Sequence, residues 1–174
     1  MRKQFMTIVG AAFIAVFASI QASGQDDKGS RPSPPAEVSK KTPNATITIN
    51  YSQPSVKGRE VWGKLVPYGQ VWRVGANEAT TFQVDRDVKI EGQPLAAGKY
   101  GLFAIPNADD WTIIFNKVPN QWGAFKYDEK QDALRVKVKP KKSSSFNEKL
   151  VYKIENNGKV SLDWENLDVA FNVK

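Results

Sequence analysis

Between Tyr51 and Glu78 the chain carries the residue types that recognise charged groups. Tyr51-Ser52-Gln53-Pro54 runs into Lys57-Gly58-Arg59, and Trp72-Arg73 runs into Gly75-Ala76-Asn77-Glu78. Lys57 and Arg59, two apart, project to one side of an extended segment. Arg73 stands beside Trp72, and Gly75 with Asn77 supplies a tight turn that presents Glu78. Placed side by side, these segments would gather three cations, a carboxylate, an amide and the indoles of Trp62 and Trp72. An arginine fork beside an aromatic plane suits a carboxylate, a phosphate or an acidic sugar. Tyr51, Lys57, Arg59, Trp72, Arg73, Asn77 and Glu78 are therefore the candidate ligand-binding set. The same residues admit a structural role, with Arg73 locked onto Glu78, or Arg59 onto Glu60, as ion pairs at strand ends. Trp122, Phe125 and Tyr127 also read two ways, as a lid over the core or as a stacking surface for sugar rings.

Much chemistry is excluded by composition. The chain has no His and no Cys, which removes the nucleophilic triads, the usual zinc ligand sets and the commonest general base at neutral pH. No glycine-rich phosphate cradle leads from a strand into a helix. Asp85 and Asp87 come nearest to a calcium site, but aspartate is also a good turn former, and the turn reading is preferred. Ser55 and Lys57 would formally allow a Ser–Lys dyad; its lysine would have to be desolvated to act as a base. Neither a metal nor another cofactor is expected. The formal charge is +7, with the basic excess concentrated between Arg135 and Lys149. That clustering reads as the solvated face of a lysine-bearing strand, not as the spread of charge that a nucleic-acid binder needs.

The elements that must position these residues are strands. Arg2 and Lys3 precede an apolar run from Ile8 to Ile20, and Ala22-Ser23-Gly24 follows as a small-residue cleavage site. Residues 1–24 thus have the layout of a secretory signal peptide, with a run too short for a comfortable membrane span. Without a cysteine to carry lipid, the expected product is a soluble exported protein, periplasmic or secreted, and not a lipoprotein. It would have no transmembrane span and no disulfides, so its core alone must stabilise it. Residues 25–43, rich in Pro, Ser, Lys and Asp, read as a flexible tether, and residues 44–174 as one domain. Ile47, Ile49 and Tyr51 alternate with polar neighbours, as do Leu134, Val136 and Val138, the period-two signature of half-buried strands. Asn156-Asn157-Gly158 is a hairpin turn signal. Val61, Trp62, Leu65 and Val66 have helical spacing and predict at most one short helix. About nine or ten short strands with regular turn signals predict an all-β, antiparallel β-sandwich, with a jelly-roll connectivity as one arrangement.

With those residues in view, the chain resembles a bacterial family of exported proteins, domain of unknown function 2911. The resemblance rests on Tyr51-Ser52 with Pro54, Lys57-Gly58-Arg59, Gly63, Trp72-Arg73, Gly75-Ala76-Asn77-Glu78, Gly98-Lys99-Tyr100, Ile105-Pro106, Trp111 with Ile114-Phe115-Asn116, Trp122-Gly123, and Asp132 through Arg135. It implies export and underlines the Tyr51–Glu78 stretch, but supplies no activity. Three functions stay open. The first is an exported module binding a small anionic or carbohydrate ligand. The second is a glycan-acting hydrolase or lyase with Glu78 as acid/base and Arg73 or Lys57 stabilising negative charge. The third is a structural envelope-associated protein without a ligand, whose surface around Arg73 would be shallow and pocketless.

Overall fold

The computed structural model describes residues 30–174. The expected signal peptide and the first part of the expected tether lie outside that range. Strands β1 (Pro35–Lys41), β2 (Thr46–Ser52), β3 (Thr80–Val84), β6 (Gly98–Pro106), β7 (Trp111–Asn116) and β8 (Asp132–Val138) form a six-stranded antiparallel sheet in the order β1-β2-β3-β6-β7-β8. Between β3 and β6 lies a small hairpin, β4 (Val88–Ile90) and β5 (Gln93–Leu95). The chain ends in a long hairpin, β9 (Lys141–Ile154) and β10 (Lys159–Asn172).

This terminal hairpin is the centre of a second layer. Ile90 of β4 bridges to Val173 beyond β10, and Ser55 bridges to Lys149 of β9, so a short segment extends the hairpin on either side. The alternation seen in the sequence sets which faces meet. Ile47, Ile49 and Tyr51 of β2 and Phe82 of β3 are buried, as are Leu150 and Tyr152 of β9 and Leu162, Trp164 and Phe171 of β10. Across the interface Tyr51 meets Tyr152 edge-on at 4.8 Å, and Phe171 meets Phe115 at 5.7 Å and Phe82 at 6.0 Å. One apolar cluster joins both layers. The described chain is an all-β sandwich.

Two local expectations are corrected. Pro35–Lys41, inside the stretch read as a tether, is strand β1, paired along its length with β2. It is an edge strand, half-buried only at alternate positions, and edges tolerate the proline, serine and lysine that made the segment read as tether. The helical spacing at Val61–Val66 makes no helix. Gly63, at φ 84°, breaks it, and the turn closes through Val66 N–H to the Val61 carbonyl (2.8 Å) and Gly63 N–H to the Val66 carbonyl (2.9 Å). Val61 and Val66 are buried all the same, so the apolar signal was real and its period was misleading. A 3₁₀ turn covers Glu129–Gln131.

The turn that closes the terminal hairpin permits a direct test. Gly158 has φ 87°, and a Cβ there would stand 2.1 Å from the Val173 carbonyl oxygen. Gly158→Ala should therefore cost about 2–4 kcal/mol, combining left-handed strain with overpacking, as read by urea denaturation. A loss below about 1 kcal/mol would mean that the hairpin end relaxes freely.

Candidate functional site

The segment from Pro54 to Glu78 crosses from one layer to the other. It starts on β9, where Leu150 N–H donates to the Pro54 carbonyl (3.0 Å) and Val56 N–H to the Glu148 carbonyl (2.8 Å). It then reaches the six-stranded sheet. β3 pairs with β6 only as far as Leu102, which leaves Ala104 free on that edge, and Trp72 takes the place through reciprocal backbone bonds of 2.8 and 2.9 Å. Trp72 joins the sheet by this single bridge. Val74 follows in a left-handed conformation (φ 46°), rare for a β-branched residue and costing of order 1–3 kcal/mol. Its carbonyl accepts from the Thr80 hydroxyl (3.1 Å) and the buried Tyr152 hydroxyl (3.0 Å), which hold the bend.

Four indoles fix this crossing. Among Trp62, Trp72, Trp111 and Trp164, five ring pairs lie 5.1–6.1 Å apart, Trp72 stacked on Trp164 and the other four edge-on. Beside them opens a cleft of about 300 Å³, lined by Arg59, Trp72, Arg73, Asn77 and Trp164 among others, with Gly75 and Ala76 at its wall. The guanidinium of Arg59 donates to the Ser55 carbonyl (2.6 Å) and the Val56 carbonyl (3.0 Å). Asn77 donates from Nδ2 to the Ser33 carbonyl (3.0 Å). Arg73 is different. Its Nε is buried with no hydrogen-bond partner, and among the described residues no carboxylate pairs with it. Loss of water pushes its pKa below the ordinary arginine value. The buried indole nitrogen of Trp164 is also unpartnered.

Neither expected ion pair forms. Glu78 is held by Nη1 of Arg31, at 3.0 Å to Oε1 and 3.1 Å to Oε2, and Arg59 binds carbonyls and not Glu60. Arg31 lies in the stretch read as tether, so nothing in the sequence marked it as the partner. The seven candidate residues accordingly divide. Arg59, Trp72, Arg73 and Asn77 line the first cleft. Tyr51 and Glu78 line a second, of about 750 Å³, with Trp122 and Glu37. Lys57 lines neither, and is fixed through its backbone N–H to Oε1 of Glu148 (2.9 Å). As an acid/base, Glu78 would have to release Arg31 in each turnover, although Glu37 offers a second carboxylate in the same cleft. Around Arg73 the surface is not pocketless.

The loop aromatics also divide. Tyr127 packs edge-on against Phe103 at 5.2 Å as part of a lid, whereas Trp122 and Phe125 remain 56% and 84% exposed. Asp85 and Asp87 each accept a backbone N–H, from Thr46 (2.7 Å) and Ala97 (2.8 Å), as turn formers do. Four lysines of the basic region and its neighbour, Lys137, Lys139, Lys141 and Lys159, share an open groove with Glu91 and Asp168.

Fold and clefts together define an all-β protein of two antiparallel layers, with an arginine-lined cleft beside a tryptophan cluster. The chain belongs to the family described as protein of unknown function DUF2911, whose model matches residues 33–173. No curated protein and no solved structure matches it. Among the described residues, no helix is long and apolar enough to cross a membrane.

The lid carries a pH dependence of known sign. The Tyr127 hydroxyl donates to Oδ2 of Asp132 (2.6 Å) and accepts from Nη2 of Arg135 (2.8 Å). Burial first, and then that bond to Asp132, push its pKa up to about 12. The unfolded chain ionises this phenol near pH 10, before the folded chain does. Its stabilisation is therefore complete below about pH 10 and is lost as pH rises toward 12. Buried Tyr152, raised mainly by desolvation, acts in the same direction. The stability difference between wild type and Tyr127→Phe should shrink from pH 10 to pH 12 in denaturant titrations. A difference that stays constant would contradict the lid network.

Proposed function

We propose that the chain is an exported binding module whose first cleft takes a small ligand bearing a carboxylate or phosphate. The observation that carries this reading is Arg73, half-buried at the cleft with its Nε unpartnered and, among the described residues, no carboxylate to pair with. A charge that is partly desolvated and unpaired carries a cost that grows with its burial, and a ligand anion would supply the missing acceptor. The rest of the cleft supports the same chemistry. Arg59 adds a second guanidinium, and the unpartnered groups at its lining, Arg73 Nε and Trp164 Nε1, are both donors. Half-buried Trp72 offers apolar surface to the body of such a ligand, as small-molecule sites usually do. The strained Val74 next to Arg73 is a further feature common at binding sites. Export is part of this proposal and is supported by the layout of residues 1–24.

Thermal melts with phosphate, galacturonate and glucose at millimolar concentration test it. At tenfold excess over Kd, an anion that fits should raise Tm by about 3–6 °C. Glucose should not, and Arg73→Met should abolish the response. Anions that leave Tm unmoved, or that act equally on Arg73→Met, would contradict the reading.

A further inference from the structure

The second cleft shares no lining residue with the first, and its chemistry differs. Its floor is the outer face of the six-stranded sheet. Glu37 of β1 pairs with Asn50 of β2, and Asn50 pairs with Thr81 of β3. Residues directly opposite on neighbouring strands share a face. Ile49, Tyr51 and Phe82 beside them point into the core, so the row Glu37–Asn50–Thr81 faces outward. Lys99 of β6, paired with Gln83 and hence on the same face as Thr81, completes the row. The wall is the segment Pro119–Trp122, pinned by Ala79 N–H to the Gln121 carbonyl (2.9 Å) and Gly123 N–H to the Asn77 carbonyl (3.1 Å).

We infer that this cleft is a second binding site, for a neutral saccharide, formed by the polar row Glu37–Asn50–Thr81 facing the exposed Trp122. Three observations converge on that ligand class. The Thr81 hydroxyl and Oε1 of Gln121 are buried at the cleft and have no hydrogen-bond partner among the described residues. A buried polar group left unpaired costs about 1–3 kcal/mol. The first group both donates and accepts and the second only accepts, unlike the pure donors of the arginine cleft. Sugar hydroxyls donate and accept, and they complement a mixed lining of carboxylate, amide and hydroxyl. Trp122 is the second observation. It is 56% exposed, while the Arg31 guanidinium stands 5.9 Å from its ring. An indole held at a cleft rim by a cation is an apolar plate for the C–H face of a pyranose. The third is charge. Glu37 and Glu78 are set against Lys99 and Arg31, so the cleft has no cationic excess to attract an anion. Its volume of about 750 Å³ lies within the range of small-molecule sites and accommodates more than one sugar ring.

The inference is independent of the anion site, and the test keeps the two apart. Maltotriose, cellotriose and N-acetylchitotriose are titrated into the protein labelled with nitrogen-15. The reporter is the indole N–H signal of Trp122, assigned by its loss in Trp122→Ala. At least one trisaccharide should shift this signal saturably at millimolar concentration, equally in wild type and in Arg73→Met. Trp122→Ala, followed by calorimetry, and the near-isosteric Thr81→Val should each weaken binding about tenfold or more. Trp122 is exposed, so its removal leaves the core intact if Thr81→Val fails to fold. The inference is overturned if no trisaccharide moves the Trp122 signal, if the signals of Trp72 or Trp164 respond in its place, or if affinity survives Trp122→Ala.

Discussion

Packing of four tryptophans across the two layers is the constraint on which the candidate site depends. Trp111 comes from the six-stranded sheet, Trp164 from the terminal hairpin, and Trp62 and Trp72 from the segment that crosses between them. Aromatic pairs at these separations contribute about 0.5–1.5 kcal/mol each beyond the area they bury. In a chain without disulfides, that packing joins the layers where the crossing segment has little regular structure of its own. It fixes Trp72, and the Trp72–Ala104 bridge fixes the backbone at Arg73. The guanidinium is thereby held at the cleft without an ion pair to any of the described residues. Its position is set by carbon packing, and its charge is left to find an acceptor.

Strand faces were legible in the sequence because the period-two alternation of Ile47, Ile49 and Tyr51, or of Leu134, Val136 and Val138, is a local property. The Asn156-Asn157-Gly158 turn was legible for the same reason. What failed was either non-local or marginal. Val61, Trp62, Leu65 and Val66 bury apolar surface at a spacing that fits a helix, yet Gly63 and the contacts of Trp62 with the other indoles select a turn. β1 looked like a tether because an edge strand needs little apolar surface when β2 satisfies its backbone groups.

The candidate site was half legible. Arg59, Trp72, Arg73 and Asn77 do share a cleft, because the Trp-Arg and Gly-Ala-Asn sequences lie on one short bend beside β6. Glu78 separates from them because its partner, Arg31, is 47 residues away in sequence, and no spacing rule reveals such a pair. Lys57 separates because its turn is pinned by Glu148 on β9. Trp164 could not be assigned to the cleft from the alternation of β10, which specifies burial and not neighbours. The polar row of Glu37, Asn50 and Thr81 was invisible for the same reason: it exists only in the register between strands. The two clefts that result are neighbours, divided between Asn77 and Glu78, and opposite in chemistry. Donors dominate one; acceptors and hydroxyls line the other.

The most direct measurement is a thermal melt of wild type against Arg73→Met in a buffer free of phosphate and carboxylates. Methionine keeps much of the packing of the arginine stem and removes the charge. With no carboxylate among the described residues paired to Arg73, the variant should melt at the wild-type temperature or above it, since a desolvation cost is relieved and no partner is stranded. A fall of many degrees, equivalent to the ~3–5 kcal/mol lost when a buried ion pair is broken, would mean that Arg73 serves the fold and that its cleft is not kept for a ligand.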